Sequence, residues 1–282
     1  MSTTQPAPQV QHRQFQATEF RVTFPGLVRS EWIKFWSVRS VVVTMAVSFV
    51  AIVGIGVLTS LATRAAFSSA EGAQAMAAQG FDGVAASLTG AQMGTLIVAA
   101  VGVIVIAGEF STGMIRTSVV TAPRRLGIIA AKAVVLAVNV AVVTAVAVLL
   151  AFLLGQAVLN TQDLGASLGD DGVVRALLGN VAMLVGVSLA GLGVGALIRN
   201  AAGGICTVVA AIFVVPLLLM PIPESWGGDH IREFWFSNTV TNATMVTQSD
   251  SYLSAGAGFG MFVVWVAVLL GLGTLALRSR DV

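Results

Sequence analysis

Six apolar runs, each close to the length of a bilayer crossing, dominate this sequence of 282 residues. A hydrocarbon layer about 30 Å thick is crossed by about 20 residues of α-helix. Backbone N–H and C=O groups find no water in lipid, so each run must satisfy them within a helix. The predicted spans are Val41–Leu61, Ala91–Gly108, Leu126–Leu154, Val173–Ile198, Ala201–Met220 and Gly256–Leu277. We therefore expect an all-α membrane protein with six transmembrane helices.

The composition supports lipid as the main solvent of the chain. Charged residues make up 10% of the sequence, whereas soluble domains carry about 25%. The net charge of +2 is small and does not indicate nucleic-acid binding. Because Cys206 is the only cysteine, an intrachain disulfide and a cysteine-based metal site are excluded. We expect no catalytic, cofactor or metal site in this chain.

The basic residues are unequally divided between the two sides of the predicted bundle. If the N-terminus is inside, only three of the 15 Lys and Arg residues lie outside, namely Arg64, Arg175 and Arg232. The other 12 lie inside, which the positive-inside rule favours. We therefore predict both termini in the cytoplasm and a multi-pass protein of the cytoplasmic (plasma) membrane, the inner membrane of the cell.

Two segments precede the first span. Residues 1–24 are rich in Gln and lack an apolar period, which predicts a disordered cytoplasmic tail before a six-span domain at 25–282. Residues 25–40 begin with a proline and place several apolar side chains on one helical face, which predicts an amphipathic interfacial helix. That face contains Val28, Trp32, Phe35 and Trp36. The helix is either a membrane anchor or also a contact for a cytoplasmic partner.

The predicted inner loop Glu109–Arg125 is longer than orientation alone requires. It has a short helical pattern and ends in Pro123-Arg124-Arg125. Two interpretations remain open, a simple orienting loop and a docking element for a soluble subunit. The next residue with a charge, Lys132, is expected to extend its ammonium toward the inner surface.

Few polar residues lie inside the predicted spans. Asn139 and Asn180 either form hydrogen bonds between helices or line a substrate path. The pattern Gly191-x-x-x-Gly195 favours close helix packing. No carboxylate lies within the predicted spans, and this argues against an ion-driven carrier, which needs a relay at depth.

The segment from Gly102 to Lys132 resembles ABC-2-type ABC transporter permeases. Members of that family carry an acidic-aromatic pair, then Gly-Thr-x-Arg, Pro-Arg-Arg and a Lys at the start of the third span. The matching residues are Glu109-Phe110, Gly113, Arg116, Pro123-Arg124-Arg125 and Lys132, with Met114 in place of the usual Thr. The opening Ser30-Glu31-Trp32-x-Lys34 and the closing Arg280-Asp281-Val282 are also similar, so the resemblance covers the six-span layout.

The resemblance implies a membrane-spanning permease subunit of an ATP-driven exporter that moves its substrate by alternating access. It implies a coupling helix that inserts into an ATPase, formed by Glu109, Phe110, Ser111, Thr112, Gly113, Met114, Ile115 and Arg116. It also implies that residues 25–40 form the connecting helix, with Glu31, Trp32, Lys34 and Trp36 as its interfacial residues. Residues 234–247 are similar to the short outer helices that cap the exit path.

The expected partners are two copies of a cytoplasmic ABC ATPase, a second permease copy or homologue, and the lipid bilayer. A phosphate-binding P-loop needs G-x-x-x-x-G-K-[ST]. The only lysines are Lys34 and Lys132, and neither lies in such a motif. ATP and Mg²⁺ would therefore be bound by the partner, and the chain itself would not be an enzyme. The alternatives are a self-contained carrier or channel and a non-transporting immunity or anchor protein.

Overall fold

The computed structural model describes residues 23–78, 80–111 and 125–279. Helices make up 83% of the structure, and no strand occurs in those ranges. The helices are α1 (Phe24–Ser37), α2 (Arg39–Phe67), α3 (Ala70–Ala78), α4 (Gly83–Ser111), α5 (Arg125–Leu159), α6 (Val173–Ile198), α7 (Ala201–Leu219), α8 (Gly228–Phe234), α9 (Thr241–Thr244) and α10 (Ala255–Ser279). The predicted tail, except its last residues, and most of the predicted inner loop lie outside the described residues.

Six of these helices are long and apolar enough to cross a membrane, namely α2, α4, α5, α6, α7 and α10. The predicted all-α, six-span class is confirmed. The bounds of α6 agree with the prediction, whereas α4 begins at Gly83 rather than at Ala91. The first turns of α4 contain Ser87, whose hydroxyl bonds the carbonyl of Val84 and is buried against neighbouring helices. Polar residues can therefore belong to the start of this helix because they face protein, and a prediction from hydropathy alone began the span too late.

A break at Val38 separates α1 from α2. The hydroxyl of Thr23 accepts a hydrogen bond from the N–H of Gly26 and caps the start of α1. The backbone of Val38 is extended, so α1 ends at Ser37 and not at the predicted Ser40. The chain changes direction there, and α1 packs across the starts of α2 and α5.

The packing of α1 differs from the predicted single apolar face. Phe35 is buried together with Glu31, which lies one turn earlier on the same face. Trp32 and Trp36 are 42% and 52% exposed. The helix therefore buries one side in the protein and presents its tryptophans outward, an arrangement suited to a membrane interface.

The turn between α6 and α7 is as tight as the sequence predicts. Arg199 has a left-handed backbone with φ of 59°, and the side chain of Asn200 accepts a hydrogen bond from the N–H of Gly203. The guanidinium of Arg199 donates to the carbonyl of Ala276 and lies over the ring of Phe110, 5.2 Å from its centroid. One arginine therefore holds together the ends of α4, α6 and α10.

The helices α4 and α6 form the centre of the bundle. Their most apolar windows are 56% and 67% buried, compared with 11% for α7. Glycines bring the two backbones together, because a Cβ on Gly102 would lie 1.9 Å from the carbonyl oxygen of Ser188. A Cβ on Gly191 would lie 2.4 Å from the carbonyl oxygen of Ala99. The close packing that the glycine pattern predicts is thus present between α6 and α4.

The replacement Gly102→Ala is expected to destabilise the bundle, because its added methyl group meets backbone rather than a movable side chain. Overpacking of this kind costs about 1–3 kcal/mol. Gly54→Ala is the matched control, since a Cβ there meets no described atom within 4 Å. Thermal unfolding of both variants in detergent measures the difference. Equal melting temperatures would show that the α4–α6 contact is not tight.

Candidate functional site

Four charged side chains from three helices meet at the end of the bundle that carries α1. Glu31 and Lys34 come from α1, Glu109 from the end of α4, and Lys132 from the second turn of α5. The ammonium nitrogen of Lys132 lies 2.6 Å from Oε2 of Glu31 and 2.8 Å from Oε1 of Glu109. That of Lys34 lies 2.9 Å from Oε1 of Glu31 and 3.2 Å from Oε1 of Glu109. We call these four residues the charge cluster.

The charge cluster is formally neutral and largely removed from water. The side chains of Lys132, Glu31 and Glu109 are 3%, 6% and 9% exposed, while Lys34 is 26% exposed. Transfer of a single charge out of water costs several kcal/mol, and the Coulomb attraction offsets this only when partners are well placed. Each carboxylate contacts both ammonium groups, so the loss of any one member leaves an uncompensated buried charge.

Lys34 lies on α1, outside the membrane-spanning helices, as does Glu31. Burial is the largest effect and lowers the pKa of its ammonium, but the hydrogen bond that Lys34 donates to Glu31 and the negative charges of Glu109 and Glu31 together raise that pKa above its usual value. The charged form is therefore favoured in the folded protein. Its contribution to stability is fully present below the ordinary pKa and disappears as the pH rises through the raised one.

The cluster changes two expectations from the sequence. The prediction that Lys132 extends toward the surface is wrong, because its ammonium is buried between two carboxylates. Glu109, expected in a loop, belongs to the last turn of the spanning helix α4 and is buried there. A carboxylate is therefore present at the end of a span, where the predicted bounds left none.

Only some of the other predicted site residues lie in the described part of the chain, and only some of those join the cluster. Phe110 and Ser111 complete α4, and Phe110 contacts Arg199. Thr112, Gly113, Met114, Ile115 and Arg116 lie outside the described residues. Of the four predicted interfacial residues, Glu31 and Lys34 join the cluster and the two tryptophans face away from it.

Asn139 and Asn180 are both buried and bonded to backbone. The amide of Asn139 donates to the carbonyl of Val135 in its own helix. The amide of Asn180 donates to Ala176 in its own helix and to Thr244 of α9. The bond from Asn180 to Thr244 joins two helices, whereas that of Asn139 stays within its own helix.

In the part of the chain that the structure describes, two cavities lie at different ends of the bundle. One has a volume of about 440 Å³, touches the charge cluster, and is bounded by α1 and the adjacent ends of α2, α4 and α5. We call it the α1 cavity. The other, of about 220 Å³, lies between α4, α6, α7 and α10, where the rings of Phe236 and Phe262 stack. It adjoins a π-helical turn, Ala210–Val214, in α7.

At the opposite end of the bundle, amide and guanidinium groups join separate segments, and the ion pair Arg232–Asp229 lies within α8. Gln156 of α5 donates to the carbonyl of Gly83 and the hydroxyl of Ser87, and accepts from the N–H of Ala166. Arg175 donates to three carbonyl groups at the end of α9, those of Asn242, Met245 and Val246. Of the two short helices in this region, α9 lies within residues 234–247, where the resemblance implies outer helices, whereas α8 ends at Phe234.

Sequence reasoning did not identify the charge cluster as a unit. Glu31 and Lys34 are three residues apart in one helix, a spacing that the sequence shows. The contact of Lys132 with Glu31 joins residues 101 positions apart, and no local pattern reports it.

No protein-family model matches this chain, and no curated protein matches it in sequence. Among the described residues, no group of three His, Cys, Asp or Glu side chains is placed to hold a metal ion.

The replacement Lys132→Met is expected to destabilise the fold by about 3–5 kcal/mol, since it leaves buried carboxylates in excess. Glu109→Gln removes one of those carboxylates. The double variant should therefore lose about 1–3 kcal/mol less than the sum of the single losses. Thermal unfolding of all four proteins in detergent measures this coupling. Strictly additive losses would contradict a shared cluster.

The pH dependence of Lys34 provides an independent measurement. The melting temperature of Lys34→Met should lie below that of the unchanged protein by a constant amount between about pH 7 and 9. Above the ordinary pKa of 10.5 the difference should shrink, because the unchanged protein then loses the Lys34 charge. A difference in melting temperature between the two proteins that grows with pH would contradict the raised pKa of Lys34.

Proposed function

We propose that this chain is the membrane-spanning permease subunit of an ATP-driven exporter similar to ABC-2-type transporters. A separate cytoplasmic ATPase subunit would hydrolyse ATP, and two permease chains would form the complete pathway. The multi-pass helical bundle is compatible with this role. The observation that carries the proposal is the charge cluster, because it joins the two helices that flank residues 112–124 to the interfacial helix α1.

Force applied between α4 and α5 would be transmitted through this cluster. Glu109 and Lys132 stand 23 residues apart in sequence, one on each side of the connection, yet their charged atoms lie 2.8 Å apart. Glu31 and Lys34 attach α1 to the same point. A partner that moves the connection would therefore move α1, α4 and α5 together rather than bend one helix.

The position of α4 would carry that movement into the bundle. It packs closely on α6 and α2 through glycine contacts, so it cannot shift without moving its neighbours. The bond from Arg199 to Ala276 and its contact with Phe110 extend the connection to α10. Alternating access would follow from such coupled movement, with the charge cluster on the cytoplasmic side of the plasma membrane, as the distribution of basic residues indicates.

A self-contained ion-driven carrier is the second candidate function. The buried carboxylate of Glu109 at the end of a span favours it, since such groups commonly relay ions or protons. Against it, the two carboxylates of the cluster are matched by two ammonium groups. Proteoliposomes that contain only this chain separate the two candidates. Solute flux driven by an ion gradient without ATPase would support the carrier.

The ATPase partnership is tested by purifying the tagged full-length chain from membranes of its native host. An ATPase with a P-loop is expected in stoichiometric amounts. Ile115→Asp, in the proposed coupling helix, should reduce its recovery at least about tenfold, since about 1.4 kcal/mol of lost binding has that effect. Leu168→Asp is the matched control, because Leu168 is exposed at the opposite end of the bundle.

Two outcomes would contradict the proposed function. One is the absence of a stoichiometric ATPase from the purified complex. The other is substrate export that continues at an unchanged rate in cells that lack every candidate ATPase. Equal loss of the ATPase in Ile115→Asp and Leu168→Asp would place the contact outside the proposed coupling helix.

A further inference from the structure

The α1 cavity combines apolar walls with a charged end. Its volume of about 440 Å³ lies within the range of about 300–1,000 Å³ that is typical of small-molecule sites. All four members of the charge cluster contribute to its lining. The apolar part is formed by Ile33, Val38, Val41, Ile104, Val105 and Val135. Such a surface matches an amphiphile whose head group lies at the cluster.

One oxygen of the cluster lacks a hydrogen-bond partner. Both oxygens of Glu31 accept from lysines, and Oε1 of Glu109 accepts from both lysines. Oε2 of Glu109 is buried and accepts no hydrogen bond. A buried carboxylate oxygen without a donor is unfavourable. Glu109 lines the cavity, so a head group there that carries N–H donors can satisfy this carboxylate after a small rotation of its side chain.

The charge of the cluster restricts the head group further. Two carboxylates and two ammonium groups sum to zero, so a head group with net charge would bring an unmatched charge into a largely buried site. A zwitterionic head group avoids this cost. Its ammonium can donate to Glu109, while its phosphate remains at the more exposed side, where Lys34 lies.

The surroundings of the cavity identify the bilayer as the source of this ligand. The cavity is bounded by α1, whose exposed Trp32 and Trp36 are suited to the membrane interface. We propose that the α1 cavity binds a membrane phospholipid with a primary ammonium head group, of the phosphatidylethanolamine type. The head group and the first part of an acyl chain occupy the cavity, and the rest of the lipid stays in the bilayer.

The test compares lipids that differ in N–H donors. The full-length chain is purified in a neutral detergent, and lipid binding is measured by native mass spectrometry with phosphatidylethanolamine, phosphatidylcholine and phosphatidylglycerol. Phosphatidylcholine has the same charges as phosphatidylethanolamine but no N–H donor, so we expect at least about fivefold weaker binding, within the range for a lost charge-assisted hydrogen bond. Equal binding of these two, or preference for anionic phosphatidylglycerol, would overturn the proposal.

Two variants test whether the lipid binds in the α1 cavity. A Cβ on Gly108 meets no described atom within 4 Å, and Gly108 lines the cavity, so Gly108→Leu should fill it and reduce phosphatidylethanolamine binding at least about fivefold. Gly54→Leu is the matched control, because a Cβ there also meets nothing and Gly54 lies outside the lining. Unchanged binding to Gly108→Leu would falsify the cavity as the site.

A third variant examines the hydrogen bond itself. Glu109→Gln replaces the carboxylate by a neutral amide, whose oxygen accepts a weaker hydrogen bond, and should reduce the preference for phosphatidylethanolamine over phosphatidylcholine. An undiminished preference in this variant would exclude Glu109 as the acceptor. If Glu109→Gln does not fold, the comparison between Gly108→Leu and Gly54→Leu still decides the site. No step uses an ATPase, so failure here is distinct from failure of the proposed transport function.

Discussion

The burial of four charges in one neutral cluster is the constraint on which this end of the protein depends. A single lysine or glutamate buried at this position would either remain charged, at a cost of several kcal/mol for its lost hydration, or become neutral. Lys132 is tolerated in a spanning helix because Glu31 and Glu109 both reach it. The same requirement fixes which face of α1 lies against the bundle, since Glu31 must face inward while its neighbouring tryptophans face outward.

The opposite end of the bundle is held by a different chemistry. Gln156 and Arg175 bond carbonyl groups and an N–H of loops and short helices, with no ion pair between spanning helices there among the described residues. Such bonds hold segments at the surface without desolvating paired charges. The central contact between α4 and α6 depends neither on ion pairs nor on side-chain hydrogen bonds, but on glycines that let the two backbones approach closely. Both ends therefore connect to one closely packed centre.

The proposed function and the proposed lipid site rest on the same cluster but use different properties of it. Transmission of movement depends on its mutual bonds, which attach α1 to the two helices on either side of residues 112–124. Lipid binding depends on Oε2 of Glu109, the carboxylate oxygen that accepts no hydrogen bond within the cluster. A lipid at this acceptor would lie against the helices that are proposed to move. The surrounding bilayer would then contact the moving part of the protein directly.

The amino-acid sequence by itself determined the class of fold, because runs of apolar residues of this length can satisfy their backbone in lipid only as helices. It also indicated the tight turn at Arg199 and Asn200 and the close packing at Gly191, because both patterns are local in sequence, although the partner of Gly191 lies on α4. Only the tertiary structure decided the bounds of α4 and the location of Lys132. Those depend on which side chains face protein rather than lipid, and on a contact between residues 101 positions apart. Hydropathy measures the cost of a charge in lipid but does not report the partner that offsets it.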